Sequence, residues 1–295
     1  MIIKVDLPNE LFRKRFKNAY MKRYPGNAVG TLGKSILGRD IDYYKFGSGK
    51  KNIIIVGTHH SLEYITALAI YDFISYISDN LTRNACINGV NLDFWQQRFT
   101  YWLIPCLNPD GVELHLGGGK KSPLYEREIR MNGSEKFDTW QANSRGVDLN
   151  HNYDYRFSEY KAVERRFGIV PGKTRYSGEY AESEPETRAM ANFVRVLNPI
   201  VLVSLHSQGK EIYFQPATAK VEKIGKRIAS ATGYELCVPT DTALYGGLCD
   251  YSGAMLGIPS FTIEVGKGEN PLPISSLPLI TEKLRPLFLK LPFYL

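Results

Sequence analysis

Cysteine is scarce in this sequence, and no two cysteines are close enough to form a CxxC pair. The chain has four in 295 residues: Cys86, Cys106, Cys237 and Cys249. This spacing argues against a thiolate metal site, and it implies no disulfide framework in a chain of this length. Free thiols fit a reducing compartment, so we predict a cytoplasmic location.

Long hydrophobic runs are also absent. No segment reaches the roughly eighteen consecutive apolar residues of a membrane span, and residues 1–24 contain no apolar stretch of signal-peptide length. We therefore predict no membrane span. The net charge is +7, but the basic residues are spread along the chain rather than grouped, which argues against a nucleic-acid partner. An acidic substrate is compatible with this charge.

A phosphate-binding loop is suggested by residues 30–35 but does not fit them. Gly33, Lys34 and Ser35 match the end of such a loop. The motif also needs a glycine five positions before Gly33, where the chain has Ala28, and no apolar strand precedes it. We conclude that this segment does not bind a nucleotide.

Apolar and amphipathic segments alternate along the chain. Strand-like apolar runs cover residues 52–57, 99–107, 199–205 and 260–265, and helix-like stretches cover 63–77 and 184–197. This alternation predicts an α/β sheet covered by helices. The second helix opens with Ser183 and Glu186 at the spacing of a capping box. The polar, glycine-rich segment 116–147 is too long for an ordinary connection, so we interpret it as a functional loop.

Polar residues follow the ends of all four apolar runs. His60 and Glu63 follow the first run, and their spacing places them on one face of a helix start. The second run ends at residues 108–111, Asn-Pro-Asp-Gly, which favour a turn. His206 follows the third run, and Glu264 lies within the fourth. Ligands of open α/β sheets bind at such strand ends, which predicts one shared site.

Two histidines and a glutamate form a ligand set typical of catalytic zinc. Zinc on His60, Glu63 and His206 would leave a fourth position for water. Glu264 must be paired or functional because it interrupts an apolar run, so it is either a general base or half of a structural salt bridge. Arg145 could stabilise an oxyanion or could be a surface charge of a loop.

Six motifs occur along the chain in this order: His60-x-x-Glu63, Asn108-Pro-Asp-Gly111, Gly146-Val-Asp-Leu-Asn150, Ser183-Glu-Pro-Glu186, His206 and Glu264-Val-Gly266. In this order they resemble the zinc carboxypeptidase family typified by carboxypeptidase A. The resemblance covers about residues 33–275 and implies one domain, residues 1–295 without a propeptide, with a mixed, largely parallel eight-stranded sheet between helices. It also implies one zinc per chain on His60, Glu63 and His206, Glu264 as general base and Asn150 in carboxylate recognition. Arg145 is the best match for the family's arginine that polarises the scissile carbonyl, with Arg130 as its alternative.

One departure from the family pattern concerns substrate binding. Digestive members carry an arginine after the conserved asparagine to grip the terminal carboxylate, whereas this chain has His151. We predict that His151 and Asp250 contact substrate together with Asn150. The family's tyrosine that closes over substrate has no clear counterpart, because its position is Thr242, with Tyr245 nearby.

Within the family, three segments look like the bacterial γ-D-glutamyl-meso-diaminopimelate peptidases. We therefore predict murein stem peptides as substrate. A metallocarboxypeptidase that trims ordinary peptides is the alternative enzyme, and a catalytically inactive binding module is the alternative from another class. The three segments cover residues 146–153, 206–213 and 264–273.

Overall fold

The computed structural model describes residues 6–24, 28–83, 86–240 and 245–295. These residues form helices and strands that succeed one another along the chain, and some strands follow each other without an intervening helix. The strands are β1 Ala28–Lys34, β2 Asp40–Phe46, β3 Lys51–Gly57, β4 Cys86–Ile87, β5 Val90–Asn91, β6 Phe99–Ile104, β7 Val201–His206, β8 Glu211–Tyr213, β9 Glu235–Cys237 and β10 Ser260–Glu264. The helices are α1 Glu10–Arg23, α2 Ile65–Leu81, α3 Leu92–Arg98, α4 Pro109–Gly117, α5 Tyr125–Asn132, α6 Phe157–Phe167, α7 Pro185–Leu197, α8 Ala219–Thr232, α9 Leu248–Leu256 and α10 Leu277–Lys290.

Eight strands form one mixed sheet in the order β1-β2-β6-β3-β7-β10-β8-β9. The four central strands, β6, β3, β7 and β10, run parallel to one another. Antiparallel pairs join β1 to β2, β2 to β6 and β8 to β10. The predicted α/β fold with a mixed eight-stranded sheet is confirmed, and the carboxyl ends of the parallel strands meet at one edge.

Strand β3 is buried on both faces, as parallel central strands usually are. Ile53 and Ile55 pack in one apolar cluster with α2 and α10. Ile54 and Val56 point to the other face and join a cluster with α7 and α9. Helices on both sides therefore hold β3 and fix the position of the residues that follow it. None of the helices in the described part of the chain is both long and apolar enough to cross a bilayer.

The predicted capping box at the start of α7 is wrong, although the helix itself is confirmed. The N-cap is Glu184, and it makes no side-chain cap hydrogen bond. Ser183 instead donates its hydroxyl to Glu184 Oε1 at 2.9 Å and accepts a hydrogen bond from Asn152 Nδ2 at 3.0 Å. Glu186 accepts from the backbone N–H of Ile36 at 3.0 Å. Long-range contacts occupy both side chains that the box requires.

The segment after β6 is the N-terminus of a helix rather than an isolated turn. Asn108 is the N-cap of α4, and its Oδ1 accepts from the N–H of Gly111 at 3.0 Å. Its Nδ2 donates to the carbonyls of His59 and Ala142, at 3.0 and 3.1 Å. Asn108 thereby ties the end of β3 to the segment before Asn150.

Two other segments complete the comparison with the sequence. Residues 116–147, interpreted as one functional loop, contain the end of α4 and all of α5. Their last residues include Gln141, which lines the cavity described below. Residues 30–34 belong to strand β1, so they do not form a phosphate-binding loop.

Candidate metal and catalytic site

Three predicted ligands converge at the ends of neighbouring parallel strands. Glu63 ends a short 3₁₀-helix that follows β3, and His206 is the last residue of β7. Nδ1 of His60 lies 3.0 Å from Glu63 Oε1, and Nδ1 of His206 lies 3.1 Å from Glu63 Oε2. One ligand atom from each of the three side chains lies within 4.8 Å of the others. This arrangement could hold a single metal ion.

The donor set and its surroundings fit a catalytic zinc ion. Two imidazoles and one carboxylate form the His₂Glu set known from zinc peptidases. Nε2 of His60 donates to Asp148 Oδ1 at 3.1 Å. This contact leaves Nδ1 facing Glu63, in position to ligate a metal ion, and a carboxylate behind a ligating histidine is the usual partner in zinc sites. Sequence reasoning gave Asp148 no role, although it lies inside the quoted motif at residues 146–150.

The charged groups of the cluster shift one another's pKa values. Burial opposes ionisation of Glu63, but His60 and His206 outweigh it and lower the pKa of the carboxyl. Burial likewise raises the pKa of Asp148, and His60 more than reverses this effect. Burial lowers the pKa of His60, yet Glu63 and Asp148 together raise it well above its usual value. A metal ion bound by these residues therefore has to displace a proton.

Glu264 ends β10 and is the register partner of His206. Burial, and then the charge of Glu63, raises the pKa of Glu264 well above its usual value, and His60 offsets this only in part. Within the described residues, no cation forms an ion pair with Glu264, so the structural salt bridge considered from the sequence finds no partner. A half-buried carboxylate with a raised pKa that lines a cavity is suited to accept and return a proton.

A cavity of about 380 Å³ opens beside these residues. It is lined by five of the predicted site residues: His60, Asn150, His151, Asp250 and Glu264. Oδ1 of Asn150 accepts from the backbone N–H of Leu248 at 3.2 Å. Among the described residues Nδ2 has no acceptor, so its two N–H groups are available to a ligand. The cavity therefore joins the metal ligands to the residues predicted for substrate binding.

His151 is oriented by its neighbours. Its Nδ1 lies 2.7 Å from the carbonyl oxygen of Tyr245 and donates to it, because a carbonyl can only accept. The ring stacks on Tyr160 with centroids 4.2 Å apart. Neutral His151 consequently presents the lone pair of Nε2, so it can bind a donor but not a carboxylate.

Asp250 gives the cavity a carboxylate. Burial raises the pKa of Asp250 to about 6, although Gln215, whose Nε2 donates to Oδ1 at 2.8 Å, acts in the opposite direction. Gly246 and Gly247 lack a Cβ, which allows the backbone to lie close to His151 and Asp250. A Cβ at Gly247 would lie 2.6 Å from Asp250 Oδ2, and one at Gly246 would lie 2.3 Å from the carbonyl oxygen of His151.

The structure does not bring Arg145 into this group. Its side chain is 47% exposed and lies 3.8 Å from Glu184 Oε2, and it does not line the cavity. The alternative, Arg130, is exposed on α5. The carbonyl-polarising role of Arg145 stays a prediction. Thr242 lies outside the described residues, and Tyr245 accepts a hydrogen bond from Arg156 at 3.3 Å.

A different arginine, Arg175, lines the cavity. No motif marks it in the sequence, so sequence reasoning missed it. Its backbone is left-handed, with φ 69°, a conformation that is unfavourable for a residue with a Cβ and that often marks functional sites.

The model of the zinc carboxypeptidase family matches residues 14–285 of this chain. The chain belongs to this family. Family membership, together with the converging His-Glu-His cluster, identifies the protein as a zinc metallopeptidase. The resemblance predicted from the ordered motifs is confirmed.

One relative by sequence and two solved structures show what the chain is similar to. The chain is 30% identical over 274 residues to gamma-D-glutamyl-L-diamino acid endopeptidase 1 of Lysinibacillus sphaericus, covering 90% of this chain and 67% of that protein. Bovine thrombin-activatable fibrinolysis inhibitor, at 20% identity, aligns with a TM-score of 0.73 over 98% of this chain and 97% of its own. Murein-tripeptide amidase MpaA from Escherichia coli O157, at 19% identity, aligns with a TM-score of 0.56 over 88% and 91%. At these identities, the two structures show the shared fold.

Proposed function

We propose that the protein hydrolyses the bond between γ-D-glutamate and diaminopimelate in murein stem peptides, using one zinc ion per chain on His60, Glu63 and His206. The observation that carries the proposal is the chemistry of the cavity around Asn150. There Asp250 supplies a carboxylate, and His151, with its N–H already donated, supplies a lone pair. The relative from Lysinibacillus sphaericus, named for a γ-D-glutamyl-diamino acid bond, supports it.

The substrate's extra amine explains why these residues suit a diamino acid. An ammonium group is a donor with a positive charge, so it is attracted to Asp250 and can donate to Nε2 of His151. Asp250, with its pKa raised to about 6, is ionised at neutral pH. The free Nδ2 of Asn150 can donate to a carboxylate of the same residue. An ordinary C-terminal residue offers the carboxylate but lacks the amine.

The chain's own residues have distinct tasks in this proposal. The bound zinc ion supplies a Lewis acid that activates water and polarises a carbonyl near neutral pH. Glu264 accepts a proton from the attacking water and returns it to the leaving amine. Asp148 holds His60 in the tautomer that leaves Nδ1 free. Asn150, His151 and Asp250 hold the diamino acid.

A metallocarboxypeptidase that trims ordinary peptides is the second candidate. Nδ2 of Asn150 favours it, because this amide has no acceptor among the described residues and can donate to the terminal carboxylate of any peptide. The inactive binding module is disfavoured, since the three ligands and Glu264 converge at one cavity edge. A cytoplasmic location belongs to the same proposal and is supported by four cysteines that are all free.

Mass spectrometry of the products tests the proposal. Zinc-loaded protein is incubated with L-Ala-γ-D-Glu-meso-diaminopimelate and, separately, with an all-L tripeptide of similar size. We expect free diaminopimelate to appear at least about tenfold faster than any product of the all-L peptide, a difference of about 1.4 kcal/mol in transition-state binding. Glu264→Gln, prepared in the same way, controls for a contaminating peptidase. Faster trimming of the all-L peptide would replace the proposal with the carboxypeptidase.

A further inference from the structure

Arg175 gives the cavity a positive charge that no role described so far uses. Of the lining residues that the structure describes, it is the only lysine or arginine. The residue is exposed, and no carboxylate in the described ranges forms an ion pair with its guanidinium. The side chain is therefore available to a ligand that enters the cavity.

The backbone of Arg175 is fixed beside the metal cluster. Its N–H donates to Asp148 Oδ2 at 3.0 Å, and its carbonyl accepts from the hydroxyl of Tyr160 at 2.9 Å. The other oxygen of Asp148 accepts from Nε2 of His60 at 3.1 Å. One carboxylate thus links a predicted metal ligand to the peptide unit of Arg175. The left-handed backbone, φ 69°, is held by these two contacts.

The described lining of the cavity consequently carries charges of both signs. Asp250, bound by Gln215, provides a carboxylate from α9. Arg175 provides the positive charge from the segment after α6, where its N–H binds Asp148, the partner of His60. A ligand that pairs with both charges carries an amine and a carboxylate at separate positions.

We propose that the Arg175 guanidinium binds the free α-carboxylate of a γ-linked D-glutamyl residue and thereby selects γ-linked peptides. This inference rests on the proposed function. A γ-peptide bond leaves the glutamyl α-carboxylate free, separated from the scissile carbonyl by Cα, Cβ and Cγ, whereas in an α-linked peptide the α-carboxyl group is consumed in the scissile bond. A guanidinium can grip that carboxylate with two parallel hydrogen bonds. His151 and Asp250 cannot do so, because one presents a lone pair and the other a like charge.

The experiment uses two substrates that differ only at this carboxylate. One is L-Ala-γ-D-Glu-meso-diaminopimelate, and the other carries an α-carboxamide on the same D-glutamyl residue. For the zinc-loaded wild type, we expect kcat/KM to be at least about tenfold higher for the carboxylate substrate. In Arg175→Gln, we expect the ratio of kcat/KM for the carboxylate substrate to that for the carboxamide substrate to fall to within about twofold of one. Only kcat/KM for the carboxylate substrate should decrease. Arg175→Lys should keep an intermediate ratio, because lysine offers a charge without the fork.

Lys173→Gln is the matched control, since Lys173 is exposed two residues away and does not line the cavity. It should keep the wild-type ratio, and zinc content with melting temperature checks the fold of each variant. If Arg175→Gln lowers kcat/KM equally for both substrates, or if the wild type cleaves both with equal kcat/KM, the inference is overturned while the proposed function stands. If the wild type cleaves neither γ-linked substrate but cleaves an all-L peptide, the proposed function fails and the inference fails with it.

Discussion

The two ends of the cavity are built differently. At the metal end, the cluster is internally paired: His60 contacts both Glu63 and Asp148, and Glu63 also contacts His206. At the substrate end, three polar groups have no partner among the described residues, namely Nδ2 of Asn150, Nε2 of His151 and the guanidinium of Arg175. We infer that contacts within the cluster set the chemistry, whereas the groups without a partner among the described residues set the proposed specificity. Changes at the first end should abolish activity, whereas changes at the second should redirect it.

The largest effect is expected from removing a metal ligand. His60→Ala and His206→Ala should each lose most of the zinc, because two remaining ligands cannot hold a comparable site. Zinc content of the purified variants, measured by atomic emission, checks this expectation. His115→Ala is the matched control, since His115 contacts the carbonyl of Phe137 outside the cluster. Full zinc retention in both ligand variants would show that the cluster is not the metal site.

Glu264→Gln should separate binding from chemistry. We expect it to keep zinc and fold but to lose at least about two orders of magnitude in kcat, the usual scale of general-base catalysis. Steady-state kinetics and zinc analysis of the same sample check both parts. Glu235→Gln, an exposed position on β9, serves as the control. Turnover close to that of the wild type would leave Glu264 with a structural role only.

His151→Arg should shift specificity rather than abolish activity. An arginine offers a permanent donor fork to a terminal carboxylate, which neutral His151 cannot do while its Nδ1–H is donated to Tyr245. We expect kcat/KM for all-L peptides to rise several-fold and the preference for the γ-linked tripeptide to narrow. Competition between the two substrates, followed by mass spectrometry, measures the ratio. An unchanged or wider preference would show that His151 does not set it.

Arg145 and Arg175 provide a direct comparison between sequence and structure. Because Arg145 is 47% exposed and outside the cavity lining, we expect Arg145→Ala to lower kcat/KM for the γ-linked tripeptide less than Arg175→Gln does. Steady-state kinetics of the two variants show which substitution causes the larger loss of kcat/KM. A larger loss of kcat in Arg145→Ala would support the carbonyl-polarising role predicted for it from the sequence.

The smallest effect on activity, with a clear effect on stability, is expected at Glu186. Burial raises the pKa of the Glu186 carboxyl to about 8 in the folded protein, from a value of 4.5 in the unfolded chain. Between these two pH values the folded protein keeps the carboxyl protonated, whereas the unfolded chain releases the proton. The resulting stability is fully present below pH 4.5 and is lost as pH rises to about 8. The melting temperature of Glu186→Gln should therefore exceed that of the wild type by an amount that grows from about pH 5 to pH 8 and is constant above that range. A gap that is constant with pH contradicts the assignment; Glu179→Gln, exposed, is the control.

The metal end could be predicted from the sequence because local patterns locate it. His206 and Glu264 fall at the ends of adjacent parallel strands, and their register pairing follows from the strands themselves. The position of Arg175 could not be predicted in this way. It is held by Asp148, 27 residues earlier, and by Tyr160, 15 residues earlier, in a segment without periodic pattern. The capping box failed for a related reason, since contacts from distant residues occupy Ser183 and Glu186.

The central claim is that the substrate end selects a γ-linked diamino-acid peptide independently of the chemistry at the metal end. Titration calorimetry on zinc-loaded Glu264→Gln tests it most directly, because this variant should bind substrate while turning it over slowly. We predict that L-Ala-γ-D-Glu-meso-diaminopimelate binds at least about tenfold more tightly than an all-L tripeptide, a difference of about 1.4 kcal/mol. Equal affinities, or tighter binding of the all-L tripeptide, would contradict the account.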